Sequence, residues 1–194
     1  MNRFSVKVVV IFAFVVLMLG ACAKPPTAEI EAATAAVAKA EADADAVLYA
    51  APSVARAKDS LARMQAAVEA KQYDSAKSLA QETIQAAEKA IVDGAVAKNR
   101  ARDEAAALLP TVKKALLEAT TSLTAAARIR GIRLDVAGTD REIQAAARIV
   151  DTMGEDVTAG NFNAAITKGQ SVRATLGTIQ QRISEAVQAA TRKK

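Results

Sequence analysis

Apolar residues recur at alternating spacings of three and four along most of the chain after residue 26, with polar residues between them. This spacing places the apolar residues on one face of an α-helix, and it therefore predicts a series of amphipathic helices. No stretch alternates apolar and polar residues as a half-buried β-strand does. Alanine, the strongest helix former, supplies much of the apolar face. The pattern favours an all-α fold in which the helices lie close together.

The first half of the chain divides into helices at its prolines and its turn residues. The first helix is predicted to run from Thr27 to about Tyr49, and the second from Pro52 or Ser53 to about Ala70. Proline is tolerated at the start of a helix and breaks its interior, which is why the boundary is placed here.

Capping residues and a proline predict the starts of the next three helices. Asp74 is the expected N-cap of the third helix, which continues to Pro110, where the chain either begins a fourth helix or kinks the third. The fourth helix is expected to end at Gly131. Thr139 and Glu142 have the spacing of a capping box at the start of the fifth helix.

Two parts of the chain coincide when the sequence is shifted by 89 residues. The turn aromatic Tyr73 then aligns with Phe162, and Asp74 aligns with Asn163, the predicted cap of the sixth helix. Apolar stripes alone would not align an aromatic followed by a cap, so the pattern favours an internal duplication. We expect Tyr73 and Phe162 to close the ends of their hairpins; stacking on a ligand is the alternative role. The other aligned pairs include Val54 with Ile143, Leu61 with Val150, Met64 with Met153, Val68 with Val157 and Ala76 with Ala165.

The predicted fold is therefore an all-α, elongated helical bundle of two tandem three-helix units. Residues 27–109 form the first unit. Residues 110–194 form the second, which ends in a basic tail.

The start of the chain has the pattern of a secretory signal peptide. A short basic segment precedes an apolar run from Val8 to Leu19, which is shorter than the roughly 20 apolar residues that span a bilayer. The small residues Gly20 and Ala21 follow, and then Cys22, the single cysteine of the chain. We expect cleavage of the signal peptide after this run.

Leu19-Gly20-Ala21-Cys22 resembles a bacterial lipobox. The resemblance implies that residues 1–21 are removed and that Cys22 carries acyl chains of the palmitate type, with residues 22–26 as lipidated cysteine and proline spacer. Several chains, at about 0.8 kcal/mol per buried methylene, hold a protein permanently. The residue after the cysteine is Ala23. An aspartate at this position would resemble an inner-membrane retention signal, so its absence favours the outer membrane, with the protein facing the periplasm. A secreted protein with a free thiol and an N-terminal signal anchor are the alternatives.

The elements Tyr49-Ala50-Ala51-Pro52 and Tyr73-Asp74-Ser75-Ala76 lie in a stretch, residues 40–80, that resembles a group of alanine-rich bacterial lipoproteins. These proteins carry a helical domain of unknown function behind a lipobox and a proline-rich spacer. The resemblance implies location and fold, and it implies no activity.

The last residues, Thr191-Arg192-Lys193-Lys194, resemble the Arg-Lys end of the major murein lipoprotein, whose terminal lysine is joined to peptidoglycan. The resemblance implies covalent attachment to the cell wall at Lys194. A basic tail is also expected simply because cations stabilise the C-terminus of a helix.

Residue types that carry out chemistry are scarce. The sequence has no histidine and one cysteine, so the usual general base and the commonest metal ligands are missing. No nucleophile elbow or phosphate-binding loop occurs. We therefore predict no enzymatic activity, catalytic residue, metal site or cofactor.

Charge and export together limit the partners. The formal net charge is +5, and the excess of basic residues lies in the distal half. Export removes nucleic acid as a partner, which leaves lipopolysaccharide, peptidoglycan or an envelope protein; a solvated basic surface explains the charge equally well. The first functional hypothesis is a membrane-anchored, non-enzymatic structural or interaction module. The alternative is a periplasmic carrier or chaperone-like protein for lipid or unfolded chains, which needs a roomy apolar cavity.

Overall fold

A computed structural model describes residues 24–192, which contain six α-helices and no β-strand. The predicted all-α fold is confirmed. The described chain forms two compact units, the first ending at Ala95 and the second beginning at Val96, whereas the sequence placed the boundary between residues 109 and 110. The helices are α1 (Thr27–Ala42), α2 (Ala44–Tyr49), α3 (Ala51–Glu69), α4 (Tyr73–Ala127), α5 (Val136–Ala159) and α6 (Phe162–Thr191).

The prediction of one helix over residues 27–49 is wrong, because the chain breaks at Asp43. Asp43 has an extended backbone, with φ −77° and ψ 112°, and its carboxylate accepts a hydrogen bond of 2.8 Å from the backbone N–H of Ala46. Aspartate is a strong N-cap. This side chain therefore ends α1 and starts the short helix α2.

The break at Asp43 lets α2 approach the first part of α4 very closely. A Cβ atom added to Gly94 would lie 2.5 Å from the backbone nitrogen of Ala46 and 2.6 Å from its Cα atom. Gly94 is buried, and Ala46 is completely buried. The two helices therefore pack backbone against backbone at this point.

Helix α4 continues through Pro110, so the alternative of a new helix starting there is wrong. It spans 55 residues, with Pro110 in its interior, and it ends at Ala127 and not at Gly131. Proline removes one backbone donor from a helix, but Pro110 is exposed, and the neighbouring Val112 is fully buried in the second unit. Packing of the flanking residues keeps the chain helical.

The three predicted caps are wrong by two to four residues. Asp74, Thr139 and Asn163 all lie inside the first turn of their helices, since α4 begins at Tyr73, α5 at Val136 and α6 at Phe162. The cap of α5 is Asp135, whose carboxylate accepts a hydrogen bond of 2.9 Å from the backbone N–H of Gly138. The hydroxyl of Thr139 donates to the carbonyl oxygen of Asp135 at 2.7 Å instead of forming a capping box.

The two units differ in the size of their buried side chains. Alanine dominates the core of the first unit, which consists of α1, α2, α3 and the beginning of α4. Larger aliphatic residues fill the core of the second unit, which consists of the rest of α4 with α5 and α6. Core residues are Ala33, Val37, Ala40, Ala57, Met64, Ala80, Ala87 and Ala90 in the first unit and Val112, Leu123, Ile143, Val150, Met153, Leu176, Ile179 and Ile183 in the second.

Both units nevertheless bury positions in the same register. Six buried residues at the beginning of α4 each match a buried residue of α6 that lies 89 positions further along. Met64 and Met153, also 89 positions apart, are both completely buried. The aligned pairs on these helices are Ala76 with Ala165, Ala80 with Gly169, Thr83 with Val172, Ala87 with Leu176, Ala90 with Ile179 and Gly94 with Ile183.

The two turn aromatics have different surroundings. Phe162 is buried, with 8% of its surface exposed. Tyr73 is half-buried. Each aromatic residue is the first residue of the helix that follows its turn. Its role in closing the end of the hairpin stays a prediction.

Candidate functional site

A groove of about 320 Å³ opens between α3 and α4 in the first unit. Its lining combines two buried serines, Ser53 and Ser60, with exposed charged side chains from both helices. Spacings of three and four residues place the members from each helix on one face. The lining residues are Ser53, Arg56, Asp59, Ser60 and Arg63 from α3 and Glu82, Ala86 and Lys89 from α4. We call this the α3–α4 groove.

One end of the groove is organised around the carboxylate of Asp93. Lys89 Nζ lies 2.8 Å from Asp93 Oδ1, and the Ser53 hydroxyl donates to Asp93 Oδ2 at 2.7 Å. Ser53 Oγ also accepts a hydrogen bond of 2.7 Å from Arg56 Nη2. The hydrogen bond from Lys89 and then that from Ser53 hold the pKa of Asp93 below its usual value, so Asp93 is ionised at neutral pH. Two cations and one carboxylate give this end a net charge of about +1.

The other end of the groove has the opposite balance. Arg63 Nη2 lies 3.0 Å from Glu82 Oε1, and Arg63 Nε lies 3.5 Å from Asp59 Oδ2. All three side chains are more than half exposed. One cation between two carboxylates leaves a net charge of about −1. The groove therefore carries a charge separation along its length.

Two buried hydroxyls join the helices between these ends. Thr83 Oγ1 donates to the carbonyl oxygen of Leu79 at 2.7 Å and lies 3.0 Å from Ser60 Oγ. A hydroxyl has one proton to donate, so the geometry makes Ser60 the donor to Thr83. Both residues are at most 1% exposed. This pair satisfies the hydroxyls of Ser60 and Thr83 without using a charged side chain.

The equivalent face of the second unit, 89 residues further along, is largely neutral. Alanine, isoleucine and threonine occupy the positions of Arg56, Ser60 and Lys89; they are Ala145, Ile149 and Thr178. Two helices of the same register therefore pack there with fewer charges, and the charged residues that remain, Glu142, Arg148 and Arg182, stand at the positions of Ser53, Asp59 and Asp93.

One pair of contacts recurs in both units with different chemistry. Ser53 and Asp93 are bonded across 40 positions, and so are Glu142 and Arg182, which occupy the equivalent places. The guanidinium of Arg182 donates two hydrogen bonds to Glu142, of 3.2 and 2.5 Å. This bidentate contact holds the pKa of Glu142 below its usual value.

The predicted site residues do not meet in the groove. The lipobox residues Leu19, Gly20, Ala21 and Cys22 and the terminal Lys194 lie outside the described residues, and Tyr73 and Phe162 do not line the groove. No role was assigned from the sequence to the charged residues that line the groove. The signal that could have found them is their spacing of three and four on each helix, together with neutral residues at four of the five positions when the sequence is shifted by 89 residues.

Two further searches concern residues 24–192 alone. No helix among them combines the length and apolar character needed to cross a bilayer. No cluster of three or more acidic, histidine or cysteine side chains in this range is placed to hold a metal ion.

Comparison with known proteins gives one match. No curated protein and no solved structure is similar to the chain. Residues 28–108 match the family model DUF4398, a domain of unknown function. The match contains every residue of the α3–α4 groove and the stretch of residues 40–80 from which a domain of unknown function was predicted. That part of the predicted resemblance is confirmed, since the match is to a domain of unknown function.

Proposed function

We propose that the protein is a lipid-anchored bacterial lipoprotein and acts as a non-enzymatic helical interaction module in the cell envelope, on the periplasmic side of the outer membrane. The observation that carries the proposal is the position of the single cysteine, Cys22, directly behind the short apolar run and the small residues Gly20 and Ala21. Only lipidation uses all of these features together.

The position of the first helix fits this anchor. Helix α1 begins at Thr27, with Pro25 and Pro26 immediately before it. Proline restricts the backbone and cannot continue into a helix interior. A lipidated Cys22 would therefore sit a few stiff residues from the folded first unit.

An internal duplication accounts for the two units. Its support is the shared register of buried positions, the two buried methionines Met64 and Met153, and the contact across 40 positions that recurs in both units. Apolar stripes alone would align the helices but not an inter-helical polar contact. We propose that the duplicated units have diverged, with the charged groove in the first copy.

Close packing favours an interaction module over the carrier alternative. A carrier needs an apolar cavity that can enclose a lipid or a chain segment. In the first unit the backbones of α2 and α4 are in contact at Gly94, and the α3–α4 groove is charged. These features suit binding at an exposed face, with peptidoglycan, lipopolysaccharide or an envelope protein as partner.

Metabolic labelling with palmitate tests the anchor. Cys22→Ser should leave an uncleaved precursor that takes up no label, because the acyl chain has lost its thiol. The matched control is Ala23→Ser, which introduces the same side chain one residue later and should be labelled and cleaved normally. Normal labelling of Cys22→Ser would remove the proposal.

A further inference from the structure

We propose that the α3–α4 groove binds a short zwitterionic peptide, with the peptide carboxylate at Arg56 and Lys89 and the peptide amino group at Asp59 and Glu82. The inference rests on the proposed function as an interaction module and adds the chemical class of the ligand.

The charge separation along the groove matches such a ligand. The contacts Ser53 with Asp93 and Arg63 with Glu82 show that α3 and α4 are antiparallel here, so that each end of the groove takes residues from both helices. Two cations stand against one carboxylate at the first end, and one cation stands against two carboxylates at the other. A ligand with a single charge would be repelled by one of the two ends.

The spacing sets the size of the ligand. Glu82 and Lys89 are seven residues apart on α4, which is about 10 Å along the helix axis at 1.5 Å per residue. Three extended residues span about 10 Å. The groove volume of about 320 Å³ is at the lower end of the range for small-ligand sites. A tripeptide with free ends therefore fits the separation of Glu82 and Lys89.

Arg56 is the side chain best placed for the carboxylate. Its guanidinium is bonded to the neutral hydroxyl of Ser53, and no carboxylate of residues 24–192 forms a salt bridge with it. Ser53 thus fixes the orientation of the guanidinium, which lies one hydroxyl away from Asp93, a carboxylate already bonded to Lys89. A planar guanidinium can bind a carboxylate through two parallel hydrogen bonds.

The fold itself does not require this chemistry. The second unit has Ala145 at the position of Arg56 and Ile149 at the position of Ser60. Ile149 is partly exposed, with 39% of its surface accessible, so a larger side chain is accommodated at that position of the face. Ser60, at the same position of the first unit, is 1% exposed and lines the α3–α4 groove. Arg56 and Lys89 therefore have no charged counterpart on the equivalent face of the second unit, where Ala145 and Thr178 stand.

Calorimetric titration of the full chain in mild detergent tests the proposal with tri-L-alanine as the probe. Tri-L-alanine should bind, and its N-acetylated and C-amidated analogues should each bind at least about tenfold more weakly, since each has lost one charge. Arg56→Ala and Lys89→Thr, which copy the second unit, should weaken binding similarly while circular dichroism stays unchanged. Arg173→Ala, in a separate groove of the second unit, is the matched control and should bind as the unaltered chain does.

A comparison of peptide stereoisomers identifies the source of the peptide. L-Ala-D-Ala-D-Ala has the same charges as tri-L-alanine but the D-residues of cell-wall peptides. Tighter binding of the D-form supports the site and identifies a wall peptide; equal or weaker binding supports it and identifies a product of proteolysis.

Three results would overturn the proposal. They are no heat of binding up to about 10 mM tri-L-alanine, equal affinity for the capped and free peptides, or equal weakening by Arg56→Ala and Arg173→Ala. Palmitate labelling at Cys22 does not depend on any of them. Labelled protein that fails to bind the peptide would therefore remove this inference and leave the proposed anchor standing.

Discussion

Gly94 shows how little space the first unit has at the scale of a single residue. In a helix interior, alanine is better than glycine by about 0.5–1 kcal/mol. At Gly94 the added methyl group would lie 2.5 Å from a backbone atom of Ala46, which cannot move as a flexible side chain does. Gly94→Ala should therefore lower the free energy of unfolding by at least about 1 kcal/mol, because overpacking a core typically costs about 1–3 kcal/mol. Denaturant unfolding followed by circular dichroism measures the change.

Gly154 provides the control for this substitution. It lies inside α5, and an added Cβ atom would meet nothing within 4 Å. Gly154→Ala should raise the free energy of unfolding by about 0.5–1 kcal/mol, through helix propensity alone. If Gly94→Ala were also stabilising, the backbone contact between α2 and α4 would not exist in solution.

Sequence periodicity identified most individual core residues but not the groove. Ala33, Val37 and Ala40 are buried as their spacing predicts, since burial of apolar residues is the dominant favourable term. Ser60 and Asp93 were missed. Their roles depend on which residue of α4 faces which residue of α3, and that register is set by close packing of alanines, which one sequence specifies only weakly.

Pro110 is the clearest test at the scale of a secondary-structure element. It is exposed in the interior of α4, where proline costs up to about 3 kcal/mol because it donates no hydrogen bond and crowds the preceding turn. Pro110→Ala should raise the free energy of unfolding by about 1–3 kcal/mol, since little buried area is lost. Thermal unfolding followed by circular dichroism gives the measurement.

The neighbouring Thr111 is the control, because it is also exposed on α4. Thr111→Ala should change stability by no more than about 0.5 kcal/mol. An unchanged or lowered stability for Pro110→Ala would mean that the helix does not pass through this residue without a break.

Helix existence was predictable from the sequence, but helix ends were not. Asp43 and Asp135 cap α2 and α5, yet each lies close to other residues that are equally able to cap, such as Thr139. Competition between caps is decided by energies of about 1 kcal/mol, which packing overrides. The same reasoning explains Pro110, where burial of Val112 and its neighbours outweighs the local cost.

The molecule as a whole contains two units that bury equivalent positions but fill them with side chains of different size. This difference predicts that the two units have unequal stability. At equivalent places the first unit has Ala87 and Ala90, where the second has Leu176 and Ile179, all fully or almost fully buried. Each additional buried methylene is worth about 0.8 kcal/mol, so these two positions alone favour the second unit by several kcal/mol. Native-state hydrogen exchange should show faster exchange of the amides of residues 80–94 than of residues 169–183.

The comparison is internal, because both segments belong to one chain under one set of conditions. Ala87→Leu is not expected to raise the stability of the first unit, because the added side-chain volume would strain its closely packed alanine core. The informative variant is Ile179→Ala, which gives the second unit the residue of the first and should speed exchange in residues 169–183 at least tenfold, as a loss of about 2–5 kcal/mol requires. Equal protection of the two segments in the unaltered chain would instead mean that the 55 residues of α4 make the units unfold together.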